Sequence, residues 1–257
     1  MSGAGAALEA RGVSIRYPGA PAPVLADLEL AVAPGEIVAV LGQSGVGKSS
    51  LLRVLGGLQK PSSGRVLAGG ADLAAPHPRV AVAFQDPALL PWLTLEGNVA
   101  FGLDFRRQPK RSAAQRRALV DAAIAEVGLE PARRLHPAAL SGGMAQRAAL
   151  ARCLAREPDV LLLDEPFGAL DEVTRAAMQA LLLKVVARRR AAALLITHDV
   201  DEALNVADRV VLLGGAPARV VGVWRVDLPH PRDGAIAETG ALRIEILTAL
   251  RSAVRRH

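Results

Sequence analysis

The 257-residue chain is short of three things: it has one cysteine, its aromatic content is 3%, and it lacks long apolar runs. A lone cysteine excludes an intramolecular disulfide. Cys153, inside "QRAALARCLARE", reads as a small core residue of a helix. No apolar run approaches the roughly 20 residues needed to cross a bilayer. "MSGAGAALEA" lacks the basic start and long apolar segment of a signal peptide, so a cytosolic protein is expected. Scarce aromatics leave a core of Leu, Val and Ala. They also leave the basic residues without base-stacking partners. Those residues fall in separate clusters, at Arg106, Arg107, Lys110 and Arg111, at Arg116 and Arg117, at Arg188 to Arg190, and at Arg255 and Arg256. The net charge of +6 therefore reads as solvated helix faces, and no nucleic-acid partner is expected. Attraction to anionic lipid headgroups is the second reading. There is no internal repeat and no long heptad run.

What is present is an alternation. "LEARGVSIRY" (8–17) alternates like a strand, and "APVLADLELAVAPGE" follows with a Pro-Gly turn. "EIVAVL" (36–41), "VAVAF" (80–84), "DVLLLDEP" (159–166) and "AALLITHD" (192–199) are short apolar runs. The first reads as a central parallel strand buried on both faces. "KSSLLRVLGGL" (48–58), "EVTRAAMQALLLKVVARRR" (172–190) and "VDEALNVAD" (200–208) have the helical pattern. "PSSGRVLAGG" (61–70) reads as a turn and short hairpin. "RVVLLGG" and "RVVGVWRVDLP" read as a late strand pair, and "ALRIEILTALRSAVRRH" (241–257) as an amphipathic helix. Strands alternating with helices predict an α/β sheet. Residues 86–157 interrupt the alternation: a helix is expected near Thr94–Glu96, another over 111–127 and a third over 143–157. They read as a helical lobe inserted in a domain spanning 8–228, followed by a tail over 229–257.

Between the strand 36–41 and the helix 48–58 lies "GQSGVGKS" (42–49), which fits G-x-x-x-x-G-K-[ST]. A flexible Gly/Ser loop is the alternative, and the flanking strand and helix argue against it. Gly42, Gly45 and Gly47 let the backbone curl so that N–H groups turn inward on phosphate oxygens. Gln43, Ser44 and Val46 complete the curl. The following helix adds its positive end. Lys48 supplies a point charge to the β- and γ-phosphates, and the Ser49 hydroxyl can ligate Mg²⁺. A nucleoside triphosphate with Mg²⁺ is the expected ligand, and the loop alone does not distinguish a kinase, a GTPase and a transport ATPase.

"VLLLDEP" sets Asp164 and Glu165 at the C-terminal end of a strand, the edge at which open α/β sheets bind ligands. Asp164 suits Mg²⁺, directly or through water, and Glu165 suits a general base for the attacking water. "LSGGMAQR" (140–147) then puts Ser141, Gly142 and Gly143 at the start of a helix, a second anion cradle. Alone, it reads as a helix cap. With the first loop already holding the γ-phosphate, it makes most sense serving a nucleotide bound to another copy of the chain, in a head-to-tail pair.

Together these motifs resemble the ATP-binding subunit of an ABC transporter over nearly the whole chain. "GQSGVGKS" is similar to the Walker A motif, "VLLLDEP" to Walker B and "LSGGMAQR" to the ABC signature. Met144 stands at the usual signature Gln and Ala145 where a basic residue is common. The resemblance implies a P-loop fold with a mainly parallel sheet, an N-terminal antiparallel portion and an inserted helical lobe. It implies adenine stacking on Tyr17, for which a plain strand aromatic is the alternative. Gln85 in "AFQDP" would sense Mg²⁺ or water, Asp171 in "GALD" would communicate across the dimer, and His198 in "LLITHD" would contact the γ-phosphate. It also implies a separate transmembrane permease docking near residues 85–105, an indirectly linked substrate-binding protein, and a place on the cytoplasmic face of the membrane. "ALLPWLTLEGNVAFGL" and "DEPFGALDEVTR" look like importer subunits of the nitrate, taurine and aliphatic sulfonate group. A soluble ABC ATPase acting on DNA or ribosomes is the rival reading. A small-molecule P-loop kinase is a third, but it leaves 140–147 and His198 without a role.

Overall fold

The computed structural model describes residues 5–232 and 235–254. Two sheets are built in chain order from strands β1 (Leu8–Ile15), β2 (Leu25–Val32), β3 (Ile37–Leu41), β4 (Ser63–Ala68), β5 (Ala71–Asp72), β6 (Val80–Ala83), β7 (Val160–Asp164), β8 (Ala192–Ile196), β9 (Arg209–Gly214) and β10 (Arg219–Arg225). The helices are α1 (Lys48–Leu55), α2 (Leu95–Ala100), α3 (Ala113–Glu126), α4 (Gly142–Leu154), α5 (Glu172–Arg189), α6 (Val200–Val206) and α7 (Ile236–Val254). The first sheet has the order β2-β1-β4-β5 and is antiparallel. The second has the order β10-β9-β3-β8-β7-β6, parallel except for the β9–β10 pair.

The apolar runs of β3, β7 and β8 are continuous because both faces of this sheet are covered. Ile37, Ala39 and Leu41 join Leu161, Leu163, Ala193 and Leu195 in the core under α4, α5 and α6. Their alternates Val38, Val40, Val160, Leu162 and Leu194 join the core shared with α1 and the antiparallel sheet. Between β6 and β7 the chain leaves the sheet for α2, α3 and α4, which pack on one another. Cys153 is buried there, its Sγ donating to the Val82 carbonyl at 3.6 Å.

Three expectations shift. Residues 61–70 are more than a local hairpin. Gly69 and Gly70 do make the turn, both at positive φ, but β4 is a strand of the antiparallel sheet, pairing with β1 as well as β5. β1 stops at Ile15, so Tyr17 lies beyond the strand. The last helix begins at Ile236, five residues earlier than its apolar pattern suggested. Arg255 and Arg256 lie outside the described residues.

Side-chain caps define the helix starts. Thr94, Ser112, Ser141, Asp171 and Asp199 each accept a backbone N–H of the helix that follows, a contact that stabilises a helix by about 1 kcal/mol. α1 is the exception among α1 to α6: Gly47 precedes it, with no side-chain cap. At the other end of the chain Arg232 is buried and donates to four carbonyls, those of Leu204, Ala207, Val226 and Leu228. It ties the segment before α7 to the end of α6 and to β10.

Candidate active site

Strand register brings the chemistry to one edge. Asp164 lies beside Ile196, and Val40 lies on the other side of Ile196. Gly42, Glu165 and Thr197–His198 therefore leave the sheet side by side at its C-terminal edge, where α/β ligands bind.

Loop 42–49 is shaped by its glycines for different reasons. Gly47 has φ +99°, and a β-carbon there would sit 2.8 Å from Val24 Cγ1. Gly42 has no such backbone need; a β-carbon would meet Val46 Cγ1 at 2.8 Å and the Leu213 carbonyl at 3.1 Å. Gly45 (φ +82°) faces open space. Because α1 has no side-chain cap, the N–H groups of its first turn are left for an anion. Lys48 is buried and its Nζ donates to the carbonyls of Gly42 (2.7 Å) and Gln43 (2.9 Å). Burial pulls its pKa below the ordinary lysine value, and the Glu165 and Asp164 carboxylates pull it back. Ser44 and Ser49 are exposed, and Val46 is buried.

Burial pushes the Asp164 carboxyl up, a hydrogen bond from Ser49 opposes this, and the charge of Glu165 adds to it. The Ser49 hydroxyl and the Asp164 carboxylate thus lie together as an oxygen-donor pair. Among the described residues no cluster of three or more His, Cys, Asp or Glu could hold a metal by itself. A two-oxygen protein contribution is what Mg²⁺ needs when phosphates and water supply its remaining ligands, so the residues fit that ion.

Glu165 has φ +44°, an uncommon conformation for a non-glycine residue. Its N–H donates to the Ile196 carbonyl at 2.8 Å, which fixes it. Strain of this kind concentrates at functional sites. Its Oε1 lies 3.0 Å from Nδ1 of His198. Asp199, next in sequence, caps α6. Asp171 caps α5, its carboxylate accepting from Thr174 N (3.0 Å) and Thr174 Oγ1 (2.7 Å). Those bonds hold its pKa below the usual value.

Tyr17 is 40% exposed, and its hydroxyl lies 2.6 Å from Ser50 Oγ, so the ring is tethered to α1. Gln85 is exposed in the bend after β6 and makes no side-chain hydrogen bond among the described residues. Ser141 caps α4 by accepting from Met144 N at 3.2 Å. Gly142 opens to empty space, whereas a β-carbon on Gly143 would overlap the Thr174 methyl of α5. Among the described residues no hydrogen bond joins Ser141–Gly143 to loop 42–49. The structure gathers Lys48, Ser49, Asp164, Glu165 and His198, and leaves the 141–143 tip facing outward.

Two side chains missed in the sequence tie the pieces together. Gln146 of α4 is buried and donates to the Pro166 carbonyl at 3.3 Å, joining the signature helix to the segment after Glu165. Thr174 supports both Asp171 and Gly143. The Gln146 acceptor lies 20 residues away in sequence, and the Gly143 that Thr174 faces lies on a different helix.

An uncapped helix after a buried parallel strand, a buried lysine at the first position of that helix and paired carboxylates on a nearby strand end define a P-loop nucleotide hydrolase. The ABC transporter family model matches residues 25–168, and the chain belongs to that family. It is 50% identical over 226 residues to the aliphatic sulfonates import ATP-binding protein SsuB 2 of Burkholderia lata, covering 88% of this chain and 80% of that one. It is 49% identical over 220 residues to the taurine import ATP-binding protein TauB of Chromobacterium violaceum (86% and 83%). A dimeric ATP-binding cassette in a post-hydrolysis state with ADP and phosphate superposes with TM-score 0.74 at 28% identity, covering 86% of this chain and all of that one. The cbiO1 protein of Clostridium perfringens, part of an ABC transporter complex, superposes with TM-score 0.78 at 27% identity (97% and 98%). The chain is a transport ATPase.

Proposed function

We propose that this chain is the ATP-hydrolysing, energy-coupling subunit of an importer for taurine or aliphatic sulfonates, with nitrate next. The observation that carries the mechanism is the split between a gathered cluster at Lys48, Asp164, Glu165 and His198 and an outward-facing tip at Ser141–Gly143. ATP fills loop 42–49 of one copy, its adenine against Tyr17. The α4 tip of a second copy covers the γ-phosphate. Asp171 lies at this shared boundary, and beside it Val173 is 81% exposed, an apolar side chain awaiting cover. Ser49 and Asp164 would hold Mg²⁺, with Gln85 as a further ligand or water sensor; the ion supplies charge neutralisation to the phosphates.

In the reaction, Glu165 accepts a proton from water as the water oxygen bonds to the γ-phosphorus. The bond from that phosphorus to the bridging oxygen breaks, releasing ADP and phosphate. Lys48 stabilises the charge that develops on the phosphate oxygens. His198, beside Glu165, contacts the γ-phosphate and orients the carboxylate. Loss of the bridging charge lets the pair open.

Helices α2 to α4 act in this reading as an inserted lobe (about 86–157) within a domain over 8–228, with 229–257 as a tail. No helix among the described residues is long and apolar enough to cross a membrane, so the pathway itself belongs to a separate permease on whose cytoplasmic side this subunit sits. The seat favoured for the permease is the groove lined by Phe101, Phe105, Pro78 and Val82 between α2, the β6 region and α4, whose cavity measures about 580 Å³. Phe84 and Trp92, 40% and 69% exposed, adjoin it in sequence. The relatives' names, with roughly half the residues identical, support the sulfonate and taurine reading.

The test is co-purification and transport. In detergent, the permease should retain this subunit. In proteoliposomes, ATP should drive uptake of taurine or an alkanesulfonate delivered by its binding protein. Uptake of nitrate alone would move the cargo, and stable association with ribosomes or DNA would replace the importer reading.

A further inference from the structure

Glu202 is a carboxylate in the wrong place for a surface helix: it is 5% exposed on α6, four residues after His198. Its Oε2 accepts from the buried Thr197 hydroxyl at 2.7 Å. Its Oε1 lies 3.4 Å from Nε of Arg175 on α5. That nitrogen has no aligned hydrogen bond, so the contact is one of charge. The other end of the same guanidinium, Nη2, donates to the Leu170 carbonyl at 3.0 Å. Leu170 immediately precedes Asp171. Thr197 also accepts from Asp199 N at 3.1 Å, and Glu202 N donates back to the Asp199 carboxylate at 3.1 Å. The residues on both sides of His198 are thus tied to Glu202, and Glu202 is tied through Arg175 to the loop ending at Asp171.

Burying a carboxylate costs several kcal/mol unless it is well paired, and an apolar replacement often serves stability as well; Glu202 carries that cost, while its partner Arg175 is 34% exposed. Burial indeed pushes the Glu202 carboxyl up, opposed by the Thr197 hydroxyl, while Asp199 adds to the rise and Arg175 opposes it. An arrangement with so little stability to offer is better explained by geometry. We propose that Glu202 and Arg175 are positioning residues that lock the His198 loop to the Asp171 loop, so that the two respond to bound ATP as one unit. Neither would touch nucleotide. The link explains why contact of His198 with a γ-phosphate in one copy is felt at the boundary with the other. It rests on the roles given above to His198 and Asp171.

The test is a double-mutant cycle on the full chain with Glu202→Gln, Arg175→Met and the pair, reading kcat for ATP hydrolysis, ATP affinity and melting temperature. Each single change should lower kcat about tenfold, with ATP affinity within about twofold, and the pair should be no worse than the worse single. Thr197→Ser, which keeps the hydroxyl, should retain turnover, and Thr197→Val should lose it. This second contrast carries the test if Arg175→Met fails to fold. Multiplicative losses in the pair, or wild-type kcat in both singles while His198→Ala is inactive, would overturn the lock and leave the active-site reading standing. A fully active His198→Ala would remove that reading, and the lock with it.

Discussion

The helix tips of α1 and α4 both face phosphate in the proposed mechanism, and they are built in opposite ways. The α1 tip has no side-chain cap, a glycine at positive φ before it, and a buried lysine folded into its own loop. Gly47 is wedged against Val24 and Gly42 against Leu213. The α4 tip is capped by Ser141, opens to empty space at Gly142 and leans through Gly143 on Thr174. One is a pocket sunk in the sheet edge. The other is a stiffened knob with nothing of its own to grip. Among the described residues no hydrogen bond joins the two tips, and in the proposed mechanism it is a partner copy that brings a knob to each pocket.

The largest effect should come from Glu165→Gln, which removes the proton acceptor and keeps its shape. Phosphate release should fall about 10³-fold, as for loss of a general base, while ATP binding survives and an ATP-bound dimer accumulates in sedimentation. Retained hydrolysis would take Glu165 out of that role. Ser141→Arg acts on the knob alone. Turnover should drop about 10²-fold with nucleotide affinity of the separate chain unchanged; intact permease-coupled turnover would refute the shared site. The two signature glycines should then diverge. Gly143→Ala must displace Thr174 and should destabilise the fold by about 1–3 kcal/mol in denaturant melts. Gly142→Ala should leave those melts unchanged and lower turnover only, because its β-carbon meets nothing until a second copy arrives. Equal melting losses in both would end the distinction. Smallest is Tyr17→Ala, which should weaken ATP binding about fivefold by titration. Tyr17→Phe should stay within about twofold, since it loses only the link to Ser50.

Much of this site lies in contiguous sequence. Loop 42–49 and the pair Asp164–Glu165 are short motifs beside apolar runs, and a strand buried on both faces writes itself as an unbroken run such as "IVAVL". What escaped the sequence are the partners that fix those motifs. Glu202 and Arg175 look like ordinary charges on helix surfaces, and only the packing of α6 on α5 buries Glu202 and brings half-buried Arg175 against it. Gln146 sits within the signature stretch, yet its acceptor, the Pro166 carbonyl, is 20 positions away. β4 was under-read because its burial pattern, exposed at Ser63, Gly64 and Arg65 and buried only at Val66 and Leu67, carries little alternation. The two glycines of "SGG" cannot be told apart by type, since their difference lies in what stands opposite them.

Arg232 carries a practical corollary for anyone engineering this subunit. Its guanidinium closes off main-chain oxygens at the end of α6, the helix that starts beside His198. A protease site, reporter or tag inserted between Arg225 and Arg232 would therefore disturb the catalytic edge from behind, although no nucleotide-facing atom had been altered.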